Sequence, residues 1–400
     1  MYIDRSLEVR LKRLARDFPA VVVSGARQTG KTTLLRHCFP NHNYVSLDLP
    51  SKAEQAERNP GSFLADHSAP VIIDEVQYAP GLFRHLKSII DRHRHENGQF
   101  LLTGSQHFTL MGGVSESLAG RIGLLELETL SFGELPLTSS VINDRKELLQ
   151  LMVRGQYPEL WRVPNIVGTD FYGAYLATYL ERDVRQILNV ASLRDFERFL
   201  RTLAIRSGSI LNKSDVARDV GVSVKAIGDW LSVLQTSGQV SLLEPWFTNI
   251  TKRVVKTPKI YLRDCGLMCY LLNLTAETLP SSPLLGSVWE TFIFAELRKR
   301  VSFQDKPISI WFYRDQRARE IDFIVDSEGL LSFVEVKWQE HPAKKDLRSI
   351  DAVSAELAQS NSPWKPGHHY VVGTAANSYD ISHEITAIPI TDIGRTLGRA

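Results

Sequence analysis

The stretch Gly25-Ala26-Arg27-Gln28-Thr29-Gly30-Lys31-Thr32 constrains this chain more than any other, because it fits the spacing G-x-x-x-x-G-K-[ST]. Ahead of it, Val21-Val22-Val23-Ser24 is a β-branched run that predicts a buried parallel strand. Behind it, Thr33-Leu34-Leu35-Arg36-His37-Cys38 predicts a helix. A strand, a glycine-hinged loop and a helix in that order form a phosphate cradle. The glycines let the backbone N–H groups from Gly25 to Thr33 wrap an anion, and the helix N-terminus adds partial positive charge. In such a cradle Lys31 reaches the β- and γ-phosphates of a nucleoside triphosphate, and the Thr32 hydroxyl is a ligand for Mg²⁺.

Val71-Ile72-Ile73-Asp74-Glu75 supplies the complement: an apolar central strand with two acids at its carboxyl end, where open α/β sheets place their chemistry. Asp74 is expected to hold Mg²⁺ through its water shell, and Glu75 to orient or deprotonate the attacking water. The next strand, Phe100-Leu101-Leu102-Thr103, runs into Gly104-Ser105-Gln106. Thr103, with Ser105 as the rival, is expected to hydrogen-bond the γ-phosphate or the water. Arg121, in Leu118-Ala119-Gly120-Arg121-Ile122, is the candidate arginine finger, which often comes from a neighbouring subunit. An exposed structural arginine is its alternative.

Several phrases together resemble AAA+ ATPases of a bacterial and archaeal family with a poorly characterised C-terminal domain. They are SGARQTGKTTLL, YVSLDLP, VIIDEVQYAP, LLTGSQ, SLAGRI, LSFGEL, GQYPEL and YLERDV. Family members often carry a second glycine where Gln156 stands. The resemblance implies a P-loop α/β domain with a parallel sheet, ATP rather than GTP as nucleotide, Mg²⁺, and a homo-oligomer with a hexamer as the candidate stoichiometry. It also makes Arg182 and Arg185 candidates for a lid arginine that senses nucleotide.

At 400 residues the chain exceeds what one core usually supports, so two or three folded parts follow, arranged in four segments. Residues 1–150 are read as the ATPase domain, 151–205 as a helical lid or connector, 206–275 as a winged helix-turn-helix, and 276–400 as a restriction-endonuclease-like α/β domain. In the third segment Asn212 or Ser214 caps a helix, Gly221 turns the chain, and Ser223 caps a second helix with Ile227, Leu231 and Leu234 on one face. Residues 238–243 are the expected wing strand. This resembles a winged helix, although the second helix offers a DNA groove little beyond Lys225 and carries Asp229; Trp230 reads as core. Basic residues in Lys252-Arg253-Val254-Val255-Lys256 could touch phosphates or solvate a loop.

In the fourth segment, a helix containing Glu290 precedes three expected strands, Ser309 to Arg314, Glu320 to Val325 and Leu331 to Trp338, with a turn at Ser327-Glu328-Gly329. Alternation places Glu335 and Lys337 on one face. Glu290, Asp322, Glu335 and Lys337 resemble the PD-(D/E)XK nuclease constellation: carboxylates for Mg²⁺ and a lysine for the attacking water. A salt-bridged strand pair on an exposed face is the alternative. His93, His95, His368 and His369 lie in polar stretches with no metal-ligand company.

The net charge of +2 neither demands nor excludes nucleic acid. Three cysteines, Cys38, Cys265 and Cys269, are too few for a disulfide frame, and the latter two read as packing. No signal-peptide core and no membrane-length apolar run stand out, so a cytoplasmic protein without a membrane partner is expected. The leading expectation is an ATPase acting on duplex or branched DNA, such as recombination and repair intermediates of the Holliday-junction type. Alternatives are a Mg²⁺-dependent nuclease gated by ATP, as in defence, and a nucleotide-controlled signalling switch.

Overall fold

A computed structural model describes residues 2–105, 118–137, 144–179, 193–246, 256–342 and 347–398. Gln106, Arg182, Arg185, Lys252 and Arg253 lie outside the described residues. Contacts divide the chain into two compact units: Met1–Leu130 with Tyr157–Glu159 and Thr236–Gly238, and the remainder. Among the described residues no helix is long and apolar enough to cross a membrane.

The first unit runs α1 (Glu8–Asp17), β1 (Ala20–Ser24), α2 (Lys31–Cys38), β2 (Asn43–Ser46), α3 (Pro50–Arg58), α4 (Pro60–Asp66), β3 (Val71–Asp74), α5 (Leu82–Arg92), β4 (Phe100–Gly104) and β5 (Ile122–Glu126). All five strands are parallel, in the order β2-β3-β4-β1-β5. β1, β3 and β4 are buried along their whole length, which is why they read as unbroken apolar runs rather than alternating ones. Because every strand points the same way, the residues following β1, β3 and β4 meet at one edge of the sheet. The core on one face gathers Ala20, Val22, Ile73, Phe63 and Leu102 beneath Leu82, Leu86 and Ile90 of α5. On this account Leu86→Ala would cost roughly 2–5 kcal/mol.

The second unit carries α6 (Arg145–Arg154), α7 (Pro158–Arg162), α8 (Gly168–Tyr179), α9 (Leu193–Ile205), β6 (Ser209–Ile210), α10 (Lys213–Val220), α11 (Val224–Thr236), β7 (Val240–Leu243), β8 (Lys259–Leu262) and α12 (Cys265–Leu271). Asn212, not Ser214, caps α10 by accepting from the Ser214 and Asp215 N–H groups at 3.0 and 3.2 Å. Gly221 ends α10 at φ 83°, and the Ser223 hydroxyl accepts from Ala226 N at the start of α11. Ile227, Leu231 and Leu234 are buried, and Trp230 packs on Phe196 and Phe199, with ring centroids 5.2 and 5.5 Å away. β6, β8 and β7 form a three-stranded antiparallel sheet beside these helices. Cys265 and Cys269 are buried in α12, and burial pushes both thiols far up, Cys269 to about 12.

Gln156 is fully buried. Its side-chain amide donates to Glu296 Oε1 at 2.6 Å and its oxygen accepts from Lys299 Nζ at 2.6 Å. It therefore bridges the buried Glu296–Lys299 ion pair, whose other Glu296 oxygen accepts from Phe132 N at 2.9 Å.

The unit continues with α13 (Leu285–Ser302), β9 (Ile308–Arg314), β10 (Glu320–Ser327), β11 (Leu330–Val336), α14 (Arg348–Ala358), β12 (Lys365–Pro366), β13 (His369–Val372), β14 (Tyr379–Asp380) and β15 (Ile385–Ile388). They form a mixed sheet in the order β14-β15-β13-β11-β10-β9, with β12 also on β11. Glu328 and Gly329, at φ 56° and 87°, make the tight β10–β11 turn expected there. β11 stops at Val336, so Lys337 lies just past it. The strand is central and flanked by β10 and β13, and Glu335 is 7% exposed, so the solvated-face alternative fails. His369 is also no polar-loop residue. It is buried in β13, stacked on Phe333 with centroids 4.6 Å apart, and its Nδ1 accepts from Phe333 N.

Candidate nucleotide site and a carboxylate cluster

The loop between β1 and α2 depends on its two glycines. Gly25 has φ 142°, and a Cβ there would sit 2.1 Å from the Leu127 carbonyl oxygen, so no side chain fits. Gly30 has φ 91° and opens α2 in the left-handed region. Ala26 and Thr29 are buried, and the Thr29 hydroxyl closes the loop by donating to Ala26 O at 2.9 Å; Gln28 takes φ 60°. Lys31 folds inward and donates to Gly25 O and Ala26 O at 3.0 and 2.8 Å. Arg27 and Thr33 flank the same cradle.

At the neighbouring strand end, Thr32 Oγ1 donates to both Asp74 oxygens at 2.9 and 3.0 Å. A hydroxyl and a carboxylate brought together as hard oxygen donors fit Mg²⁺. Glu75 follows at φ 55°, and its Oε2 accepts from the Gln77 amide and, at 3.1 Å, from the Ser105 hydroxyl. Thr103 is fully buried. Its hydroxyl donates to Asp74 Oδ1 and accepts from Glu75 N at 3.1 Å, while Ser105 is the polar group beside the Glu75 carboxylate.

Three contributors were missed in the sequence. Tyr44 donates to Asp74 Oδ2 at 3.0 Å, and burial and then Asp74 raise its phenol above the usual range. Arg5 is buried and donates to Thr29 O at 2.8 Å and Glu128 O at 2.7 Å, bracing the loop from behind. Gln77 fixes Glu75. Tyr44 and Arg5 come in only through the tertiary fold, whereas Gln77 lies two residues from Glu75.

Arg121 behaves differently. It makes a two-pronged ion pair with Asp91, at 2.6 and 3.1 Å, and precedes β5, whose first residue pairs with Ala20 at the start of β1. That is the opposite end of the sheet from the loop after Ser24, so Arg121 does not join its own chain's phosphate site.

In the second unit Glu290, Asp322, Glu335 and Lys337 are brought into one neighbourhood. Lys337 Nζ donates to Glu335 Oε1 at 2.7 Å, and Asp322 Oδ2 accepts from Val336 N at 2.8 Å. A register shift in β10 between Ile321 and Ile324 breaks the alternation and lets Asp322 sit buried between two core residues. Burial first, then Asp322, push Glu335 up to about 8 and Glu290 up to about 7. Glu335 Oε2 is a buried oxygen with no hydrogen-bond partner. The three acids do not bring one oxygen each within 4.8 Å of one another, so they do not form a closed metal shell. A residue unforeseen from the sequence stands among them: Lys259 of β8, 2% exposed, with Nζ 3.1 Å from Glu290 Oε1 and 2.7 Å from Glu320 Oε1. Burial alone would lower its pKa, but Glu290, Asp322 and Glu320 together hold it above the ordinary lysine value. Tyr261 donates to the same Glu290 oxygen at 2.5 Å.

A family model described as an AAA domain matches residues 17–136. Two models described as domains of unknown function, DUF8612 and DUF4143, match residues 145–278 and 285–393. Uncharacterized proteins of Mycobacterium tuberculosis and Mycobacterium bovis are each 30% identical over 393 residues, spanning 97% of this chain and 84% of theirs. Among solved structures, a Walker-type ATPase of Pyrococcus abyssi aligns with TM-score 0.44 and 14% identity, over 68% of this chain and 96% of its own. RuvB of Thermotoga maritima aligns with TM-score 0.27 and 19% identity, over 60% and 89%. A phosphate cradle of this geometry inside a matched AAA domain, and relatives alike along nearly the whole chain, make the protein a P-loop AAA ATPase of the family to which those mycobacterial proteins belong.

Proposed function

We propose that this ATPase uses Mg²⁺-ATP turnover to act on DNA, as a homo-oligomer, with branched recombination or repair intermediates as the substrate to test first. The loop N–H groups from Gly25 to Thr33 bind the phosphates, and Lys31 exchanges its two carbonyl partners for β- and γ-phosphate oxygens. Thr32 and Asp74 hold Mg²⁺, which when bound neutralises charge on those oxygens. Glu75, oriented by Gln77 and Ser105, takes the proton of the attacking water. Thr103 positions Asp74 and the Glu75 backbone. Arg121, on the far edge of its own sheet, serves the site of an adjacent subunit after leaving Asp91.

The DNA reading rests on one observation: the C-terminal fold gathers Glu290, Asp322, Glu335 and Lys337 around β10, β11 and α13, as in restriction-endonuclease-like domains. The order α9-β6-α10-α11-β7-β8, with its three-stranded sheet, supports a winged-helix reading of the middle segment. The segment boundaries 1–150, 151–205, 206–275 and 276–400 remain our proposed organisation. The α11 surface, with Lys225 exposed beside Asp229, favours a scaffold over a groove reader.

ATP turnover measured alone and with single-stranded, duplex and four-way-junction DNA tests this. Stimulation by one form is expected; turnover and gel mobility indifferent to all forms would overturn it. A second reading, a nuclease gated by ATP, is favoured by the partnerless Glu335 oxygen and opposed by Lys259, whose ammonium already supplies positive charge. Mg²⁺-dependent cleavage lost in Glu335→Ala would establish it, and cleavage surviving that substitution would not.

A further inference from the structure

Outside both clusters, the described residues hold one place where three side chains of metal-ligand type converge. Asp4, Glu8 and His37 each bring one donor atom within 4.8 Å of the others. Asp4 and Glu8 are four residues apart where the N-terminal arm enters α1, and His37 lies in the last turn of α2. The imidazole is not left to rotate, since Tyr2 stacks on it with centroids 3.7 Å apart and planes 16° off parallel. Tyr2 also donates to Glu8 Oε1 at 2.8 Å, so a single side chain orients two of the three donors. That is how outer-shell partners hold metal ligands.

A cavity of about 520 Å³, lined by Tyr2, His37, Phe39 and Tyr44, reaches the imidazole. Imidazole and carboxylate together suit a borderline ion of the zinc type and not Mg²⁺, which prefers oxygen donors alone.

We propose that Asp4, Glu8 and His37 bind one divalent transition-metal ion of the zinc type, with water in the fourth position of a tetrahedral set. On binding, Lys12, 3.5 Å from Glu8 Oε2 and 55% exposed, swings aside. The ion joins the arm that carries Arg5 to α2, the helix that begins at the phosphate loop. Nucleotide affinity and metal occupancy then share a mechanical element.

The test uses the full chain, stripped of metal and held without Mg²⁺ or nucleotide, titrated with Zn²⁺ by calorimetry and with Co²⁺ by visible absorption. One equivalent is expected to bind, with the intense visible bands of tetrahedral Co²⁺. His37→Ala, and separately the pair Asp4→Asn with Glu8→Gln, should weaken binding at least about tenfold, a loss that even outer-shell partners of a metal cause. Asp4 and His37 are exposed, so melting curves should show these variants folded. No binding, binding that survives His37→Ala, or binding lost instead in Asp74→Asn or Glu335→Gln would overturn the site.

Discussion

Lys31 and Glu75 are both held by neighbours before any nucleotide arrives, Lys31 by two loop carbonyls and Glu75 by Gln77 and Ser105. Their substitutions should therefore separate binding from chemistry. Lys31→Ala is expected to abolish nucleotide binding in a fluorescent-nucleotide titration, because it removes the main positive charge on the phosphates. Glu75→Gln should bind ATP normally and lose roughly 10²–10⁴-fold in turnover. Gln77→Ala belongs between them: kcat should fall, by up to about a hundredfold, with KM unchanged, since a misplaced base costs rate and not affinity. Equal loss in both parameters would mean that Gln77 touches the nucleotide. Mixing Arg121→Ala with Glu75→Gln protein should restore turnover if Arg121 serves a neighbouring subunit, and the absence of rescue would make its pair with Asp91 purely structural.

At the scale of elements, α11 presents the sharpest contrast between packing and recognition. Trp230→Ala should cost about 3–5 kcal/mol in denaturant unfolding, the price of a cavity beside Phe196 and Phe199. Whatever DNA affinity the protein has should persist in the fraction that stays folded; selective loss of affinity at unchanged stability would return Trp230 to the surface. The phosphate loop, the Asp74 strand, the caps of α10 and α11 and the β10–β11 turn were legible because each is written in a few consecutive residues. What escaped the sequence was non-local. Arg5 reaches Thr29 across 24 positions, and Lys259 reaches Glu290 across 31. The register shift in β10 beside Asp322 has no compositional mark. The exposed-face alternative for Glu335 fails because its burial comes from β13, a strand 34 residues further on that pairs Glu335 with Val371.

For the molecule as a whole, one buried imidazole and two buried carboxyls shape stability against pH in opposite directions. Burial lowers His369 from 6.5 to about 4, so below 6.5 the unfolded chain takes up a proton that the fold refuses. Stability is then complete above 6.5 and declines as the pH falls towards 4, by at most about 3 kcal/mol from this group. Glu335 and Glu290 act the other way. Their contribution is complete below the unfolded value of 4.5 and is lost as the pH rises through about 7 and about 8. Above 4.5 the two carboxyls lose stability faster than the one imidazole gains it, so these groups together place the maximum of melting temperature near pH 4.5. Glu335→Gln should lift the alkaline side alone, and an unchanged alkaline limb would mean that Glu335 ionises without strain. Lys259 and Tyr261, which both hold Glu290, lie on β8, while the acids lie on α13 and β10. Cation and anions thus come from stretches matched by different family models, 145–278 and 285–393. In a chimaera that takes its middle stretch from one relative and its tail from another, the two halves would have to match in charge as well as in shape. Along a lineage, position 259 and the pair 290 and 320 should change in step.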